Sequence, residues 1–170
     1  MTQSERHALL DQVYTAYLRG DEGAERKVQE QANVRLLQRA YQAFLEGNGE
    51  GLLATLADDV DWHIAGPDEV PFVGAARGRD EVAAVLRKSF QTVEDQRPEV
   101  HEVIAQGDTV VVVGHERGRC KPTGAPYEGF WVHVFTFRDG QIAKFREYFD
   151  TAAFTSAMRA DGTKPANGHG

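Results

Sequence analysis

Gly129-Phe-Trp-Val-His133-Val-Phe-Thr-Phe-Arg-Asp-Gly140-Gln-Ile-Ala-Lys-Phe-Arg-Glu147-Tyr-Phe-Asp150 reads as two β-rich runs joined at Arg138-Asp139-Gly140. Three residues at such a junction form a type I turn whose last residue has positive φ and closes a bulge. Gly140 takes that φ without steric cost. The register that follows sets Phe137 opposite Gln141, Phe135 opposite Ala143, His133 opposite Phe145 and Trp131 opposite Glu147. One face of the hairpin then carries Trp131, His133, Phe135, Ala143, Phe145, Glu147 and Phe149. Val132, Val134, Thr136, Lys144 and Arg146 occupy the other. An aromatic floor with one imidazole and one carboxylate suits a small-molecule pocket holding a proton-transfer pair. A two-residue Asp139-Gly140 turn shifts the pairing by one and sets His133 against Arg146 instead.

Outward from this hairpin, the bulk numbers bound the answer. At 170 residues and 18.8 kDa the chain has the length of one domain with a single core. A hydrophobic content of 41% with charges of both signs reads as soluble and globular. The net charge of −7 argues against nucleic acid as a partner, because phosphate binding needs a basic face. Cys120 is the single cysteine, so neither an intrachain disulfide nor a cysteine-rich metal site can form. The N-terminal residues lack the apolar run of a secretory signal, and no stretch has the length of a membrane span. A cytoplasmic protein is the expectation.

In chain order, residues 4–19 read as a first helix with Leu10, Val13, Tyr14 and Tyr17 at helical spacing. The charged run at 21–31 is a solvated linker or a helical lead-in. A second helix carries Val34, Leu37, Tyr41, Phe44 and Leu45 on one stripe and stops at Gly47. Leu52, Leu53 and Leu56 give a short third helix, and residues 60–64 a strand. A long loop from Gly66 to Gly78, with room for a short strand inside it, precedes a helix at about 79–91. The chain is then β: a hairpin from residues 100–105 and 109–115, the hairpin quoted above, and a short closing helix at 151–160. Helices followed by a strand, a helix and a four-strand meander make an α+β fold, with helices laid on one face of a curved sheet.

Four fragments carry a resemblance: Leu56-Ala-Asp-Asp-Val-Asp-Trp62, Phe72-Val-Gly-Ala-Ala-Arg-Gly-Arg-Asp-Glu81, Gly107-Asp-Thr-Val-Val111, and residues 131–142 continued by Tyr148-Phe-Asp150. In this order and spacing the chain resembles the nuclear transport factor 2-like superfamily and, within it, SnoaL-like and ketosteroid-isomerase-related proteins. The resemblance implies a cone-shaped curved mixed sheet packed against N-terminal helices, with residues 4–19 as an extra N-terminal helix. It sets a domain at 32–155, a helical extension and linker at 1–31, and a flexible tail at 156–170. It also implies a homodimer formed through the sheet and a pocket for a small apolar molecule. In SnoaL-like cyclases an acidic residue on the last strand serves as acid/base, and Glu147 matches that position. In ketosteroid isomerases a first-helix Tyr helps form an oxyanion hole, which Tyr41 matches; their first-strand Asp has no match in Trp62-His63-Ile64.

The expected catalytic set is therefore Glu147, His133 and Tyr41, with Trp62, Trp131, Phe135, Phe145 and His63 around the substrate. Each has a plainer reading. Glu147 could pair with Arg146 or Arg138, and Tyr41 could be a core ring with its hydroxyl at the edge. Trp62 and His63 point to opposite faces of one strand, so only one can line the cavity, and Trp62 is the favoured one. No histidine spacing suits a metal, and no glycine pattern suits a phosphate or dinucleotide, so no cofactor is expected. The function that follows is cofactor-free acid/base chemistry on an apolar carbonyl or polyketide-like compound. A non-catalytic ligand-binding module, or a structural dimer with a filled cone, are the alternatives.

Overall fold

The computed structural model describes residues 22–160. The helix expected at residues 4–19 and the tail beyond 160 lie outside them. Helix α1 runs Glu22–Leu45, α2 Gly49–Ala54, α3 Gly78–Thr92 and α4 Thr151–Arg159. The strands are β1 Leu56–Ala65, β2 Gly74–Arg77, β3 Val93–Gln106, β4 Thr109–Cys120, β5 Pro126–Arg138 and β6 Gln141–Phe149. They form one mixed sheet in the order β2-β1-β6-β5-β4-β3, in which only β1 and β6 run parallel.

The charged run before Val34 is helix, continuous with α1, so the lead-in reading holds. Glu30 and Asn33 explain what it is for. The Gly107 amide donates to Glu30 Oε1 at 2.7 Å, and Asn33 Nδ2 donates to the Gly107 carbonyl at 3.3 Å. These bonds pin α1 to the β3–β4 turn, and Asn33 is buried to do so. Leu36, Leu37, Ala40 and Ala43 then face the sheet, whereas Leu45 stands exposed.

Leu56 opens β1 rather than closing a helix. It is fully buried in the core, and its carbonyl accepts hydrogen bonds from Arg79 and Gln141. The Asn48 side chain caps α2 by accepting from the Gly51 amide at 2.9 Å. The long loop after β1 contains β2, whose pairing places Trp62 opposite Ala76 and His63 opposite Ala75. Helix α4 is capped by Asp150 and runs past the domain end expected at 155.

At the central hairpin the structure corrects the turn and preserves its consequence. Asp139 and Gly140 both have positive φ, 52° and 71°, as a two-residue I′ connection requires. Arg138 faces Gln141 and Phe137 faces Ile142, so the three-residue turn is wrong. That shift alone would have set His133 against Arg146. However, the ladder slips between Ile142 and Lys144, leaving Ala143 as the extra residue of a bulge. Beyond it Phe135 pairs with Phe145, His133 with Glu147, and Trp131 with Phe149. Ile142 takes the inward place expected of Ala143; the other inward residues keep theirs.

Two glycines on β4 make room for the rings of β5. Gly114 pairs with Trp131 and Gly118 with Tyr127. A Cβ at Gly114 would lie 2.2 Å from Trp131 Cζ2, and one at Gly118 would lie 2.7 Å from the Tyr127 hydroxyl. The core lies between α1, α3, α4 and this concave face of the sheet.

Candidate active site

A cavity of about 120 Å³ opens within the core, several times the roughly 10–15 Å³ that holds one water. Its wall is mostly apolar, with Trp62 from β1, Trp131 and Phe135 from β5, Phe145 from β6 and Leu37 and Phe44 from α1. Trp62 packs on Phe145 with ring centroids 3.8 Å apart. His133 and Glu147 reach the cavity from adjacent strands, and Tyr41 reaches it from α1.

The three polar groups form a chain. The Tyr41 hydroxyl lies 2.6 Å from His133 Nδ1, and His133 Nε2 lies 3.7 Å from Glu147 Oε1. Burial, with Glu147 nearby adding to it, holds the Tyr41 phenol above its ordinary value. A phenol that keeps its proton can donate it to Nδ1, and an imidazole accepting there carries its own hydrogen on Nε2. That N–H faces Glu147 across a gap too long for a direct hydrogen bond. Trp131 stacks on the imidazole at 4.2 Å and holds its plane.

The plainer partners for Glu147 are engaged elsewhere. Arg146 pairs with Asp61 at 2.6 Å and Arg138 pairs with Asp59. His63 lies on the other face of β1, opposite Arg146 and Ala75, and does not line the cavity. Alternation along the strand thus turns Trp62 into the cavity and leaves His63 out of its wall.

Glu116, Tyr127 and Gln96 also line the cavity and were not anticipated. The Tyr127 hydroxyl donates to Glu116 Oε1 at 2.9 Å. Burial pushes the Glu116 carboxyl up, and Glu147 adds to this, against hydrogen bonds from Tyr127 and Gln96 and the pull of His133. The Tyr127 phenol is raised as well, by burial first and Glu116 second. The signal for Glu116 lay in the alternation of β4: counting by twos from Val110 and Val112 reaches Gly114, Glu116, Gly118 and Cys120. A strand expected to stop at His115 hid it.

The raised carboxyl has a consequence for stability. A group that binds its proton more tightly when folded loses stabilisation as pH rises from the unfolded value, near 4.5, through the raised one. Glu116→Gln carries no such proton. The melting temperature of the variant relative to wild type is therefore expected to rise between pH 4 and pH 8. A difference that stays constant with pH would show that the carboxyl is not held protonated.

Two further donors are buried in the same wall. Trp62 Nε1 and Trp131 Nε1 have no acceptor among the described residues. A buried donor left unpaired costs about 1–3 kcal/mol. Among the described residues, no group of three or more His, Cys, Asp and Glu is placed to hold a metal ion, and no helix is long and apolar enough to cross a membrane.

Residues 37–145 match the family model described as SnoaL-like domain, more than half of the chain. The chain belongs to the SnoaL-like family. Solved relatives of this SnoaL-like chain agree with the architecture. An NTF2-like protein from Burkholderia xenovorans LB400 is 39% identical, with a TM-score of 0.69 over 75% of this chain and 96% of its own. An NTF2-like protein of unknown function from Burkholderia pseudomallei K96243 is 31% identical, with a TM-score of 0.69 over 76% of this chain and 98% of its own. TerC, co-crystallised with polyporic acid, is 26% identical, with a TM-score of 0.68 over 76% of this chain and 99% of its own. Among curated proteins, none matches the sequence.

Proposed function

We propose that this SnoaL-like domain catalyses cofactor-free proton transfer on an apolar carbonyl compound bound in the cone. The observation that carries the reading is the chain from Tyr41 through His133 to Glu147 inside an apolar cavity. Glu147 takes a proton from the carbon next to a carbonyl. The Nε2–H of His133 gives a hydrogen bond to the carbonyl oxygen as negative charge gathers there. Returning the proton to another carbon completes an isomerisation; attack of the enolate on a second carbonyl forms the new carbon–carbon bond, and passing the proton from Glu147 to the resulting alkoxide completes a cyclisation. In either case no electron acceptor is consumed.

The role given to Tyr41 differs from a direct oxyanion donor. Its proton is committed to Nδ1, so it acts as a positioning residue that sets which imidazole nitrogen carries the hydrogen. Trp62, Trp131, Phe135 and Phe145 hold the body of the substrate. The co-crystallisation of TerC with polyporic acid supports a flat, oxygen-bearing ligand for this cavity as well. Exposed Ile104, Phe130 and Tyr148 support the pairing of two copies through the outer face of the sheet.

The test is exchange of the α-hydrogens of 2-tetralone, a bicyclic apolar ketone, in D₂O, followed by proton NMR. The protein is expected to speed exchange well above the buffer rate. Saturable binding of 2-tetralone with exchange at the buffer rate would instead identify a ligand-binding module without turnover.

A further inference from the structure

We propose that Glu116 and Tyr127 form a second polar subsite, which reads an oxygen atom of the substrate remote from the carbon that reacts. This deepens the proton-transfer reading and rests on the same cavity. Glu116 is flanked on β4 by Gly114 and Gly118, so no neighbouring side chain on that face of its own strand covers it. Its Oε1 accepts from Tyr127 at 2.9 Å, and Gln96 supplies a further hydrogen bond. No Arg or Lys forms an ion pair with it among the described residues. Burial favours the neutral acid at this position, and a neutral carboxyl can donate as well as accept. Both neighbours give it hydrogen bonds, so its own proton is available to a substrate oxygen.

A second observation falls between the two polar groups. Glu116 sits opposite Gly129 and Glu147 opposite His133, on either side of Trp131 in β5. Trp131 is 4% exposed and its Nε1 has no acceptor among the described residues. Gly129 and His133 are four residues apart, about 13 Å along a strand, and their partners' side chains reach into a common hollow. Glu116, His133 and Glu147 all line the one cavity, so a single small molecule in it can face both ends. A flat compound of about two fused rings, with an oxygen at each end, meets both groups and lays its ring along the indole between them.

The probes are 2-naphthol, with one oxygen, and 2,6-dihydroxynaphthalene, with one at each end, titrated by calorimetry. Wild type is expected to bind the diol about fivefold to tenfold more tightly. Glu116→Gln, still neutral and hydrogen-bonding, keeps that preference; Glu116→Leu loses it while its affinity for 2-naphthol stays within about twofold. Equal binding of the two probes by wild type, or no binding of either, would overturn the proposal, as would a full preference in Glu116→Leu. The preference is also expected in Glu147→Gln. If it persists there while wild type fails to exchange 2-tetralone, the acid/base reading falls and the subsite stands; exchange without the preference gives the reverse.

Discussion

Glu147→Gln is expected to slow α-hydrogen exchange of 2-tetralone by about 10²–10⁴-fold, the usual contribution of a well-placed general base. The amide keeps the shape of the carboxylate and cannot take up the proton. Glu147 has no arginine partner to lose: Arg146 is held by Asp61 and Arg138 by Asp59. The substitution therefore strips no arginine pair from the fold, and the melting temperature should move by only a few degrees. Affinity for 2-tetralone should change little, because the body of the ligand lies against Trp62, Trp131 and Phe145. A loss in KM alone would place Glu147 in binding. An unchanged exchange rate would remove it from the chemistry.

Gly114→Val is expected to be the most damaging single change to the fold. The first added carbon already falls 2.2 Å from the Trp131 ring, which is 4% exposed, so the indole must be pushed toward the cavity it lines. Overpacking of this kind costs about 1–3 kcal/mol, and expelling the indole costs about 3–5 kcal/mol. Against a total stability of about 5–15 kcal/mol, that is a large share. At about 2–4 °C per kcal/mol for a domain of this size, the melting temperature should fall by about 10 °C or more. Trp131→Phe made in the same chain should recover part of the loss, because it shortens the ring that the valine meets. Full stability in Gly114→Val alone would mean that Trp131 does not pack on β4 as described. His133 would feel the displacement too, since its imidazole stacks on the same indole at 4.2 Å.

Much of this site could be read from residue order, because two strand-alternation patterns carry it. Trp131, His133 and Phe135 on β5, with Phe145, Glu147 and Phe149 on β6, share a face whichever hairpin connects them with the right parity. The expected turn was wrong and the parity survived, since the bulge at Ala143 supplies the residue that a shorter turn removes. Nothing local to Gln141-Ile-Ala-Lys144 announces a bulge; packing of Ile142 and Phe145 into one core selects it. Trp62 inward and His63 outward likewise follow from alternation along β1.

What sequence reasoning missed has physical causes as well. Gly114 and Gly118 look like strand breakers, yet each lies opposite an aromatic ring that needs its space. The expected strand ran through Gly114 but stopped at His115, one residue short of Glu116, and so left Glu116 out of view. The Tyr41 hydroxyl was assigned to the substrate because its distance to His133 depends on how α1 crosses the sheet. That crossing is set by Glu30 and Asn33 on the Gly107 turn, seventy-odd residues away in sequence. Such long-range docking leaves no mark in periodicity.

The central claim is that the Tyr41 phenol fixes His133 with its hydrogen on Nε2, facing Glu147. Nitrogen-15 NMR of the His133 ring at pH 8, assigned by comparison with His133→Phe, measures this directly. The account predicts a proton-bearing Nε2 and a bare, hydrogen-bond-accepting Nδ1, with the pattern lost in Tyr41→Phe. A neutral ring carrying its proton on Nδ1 in the wild-type protein would contradict it.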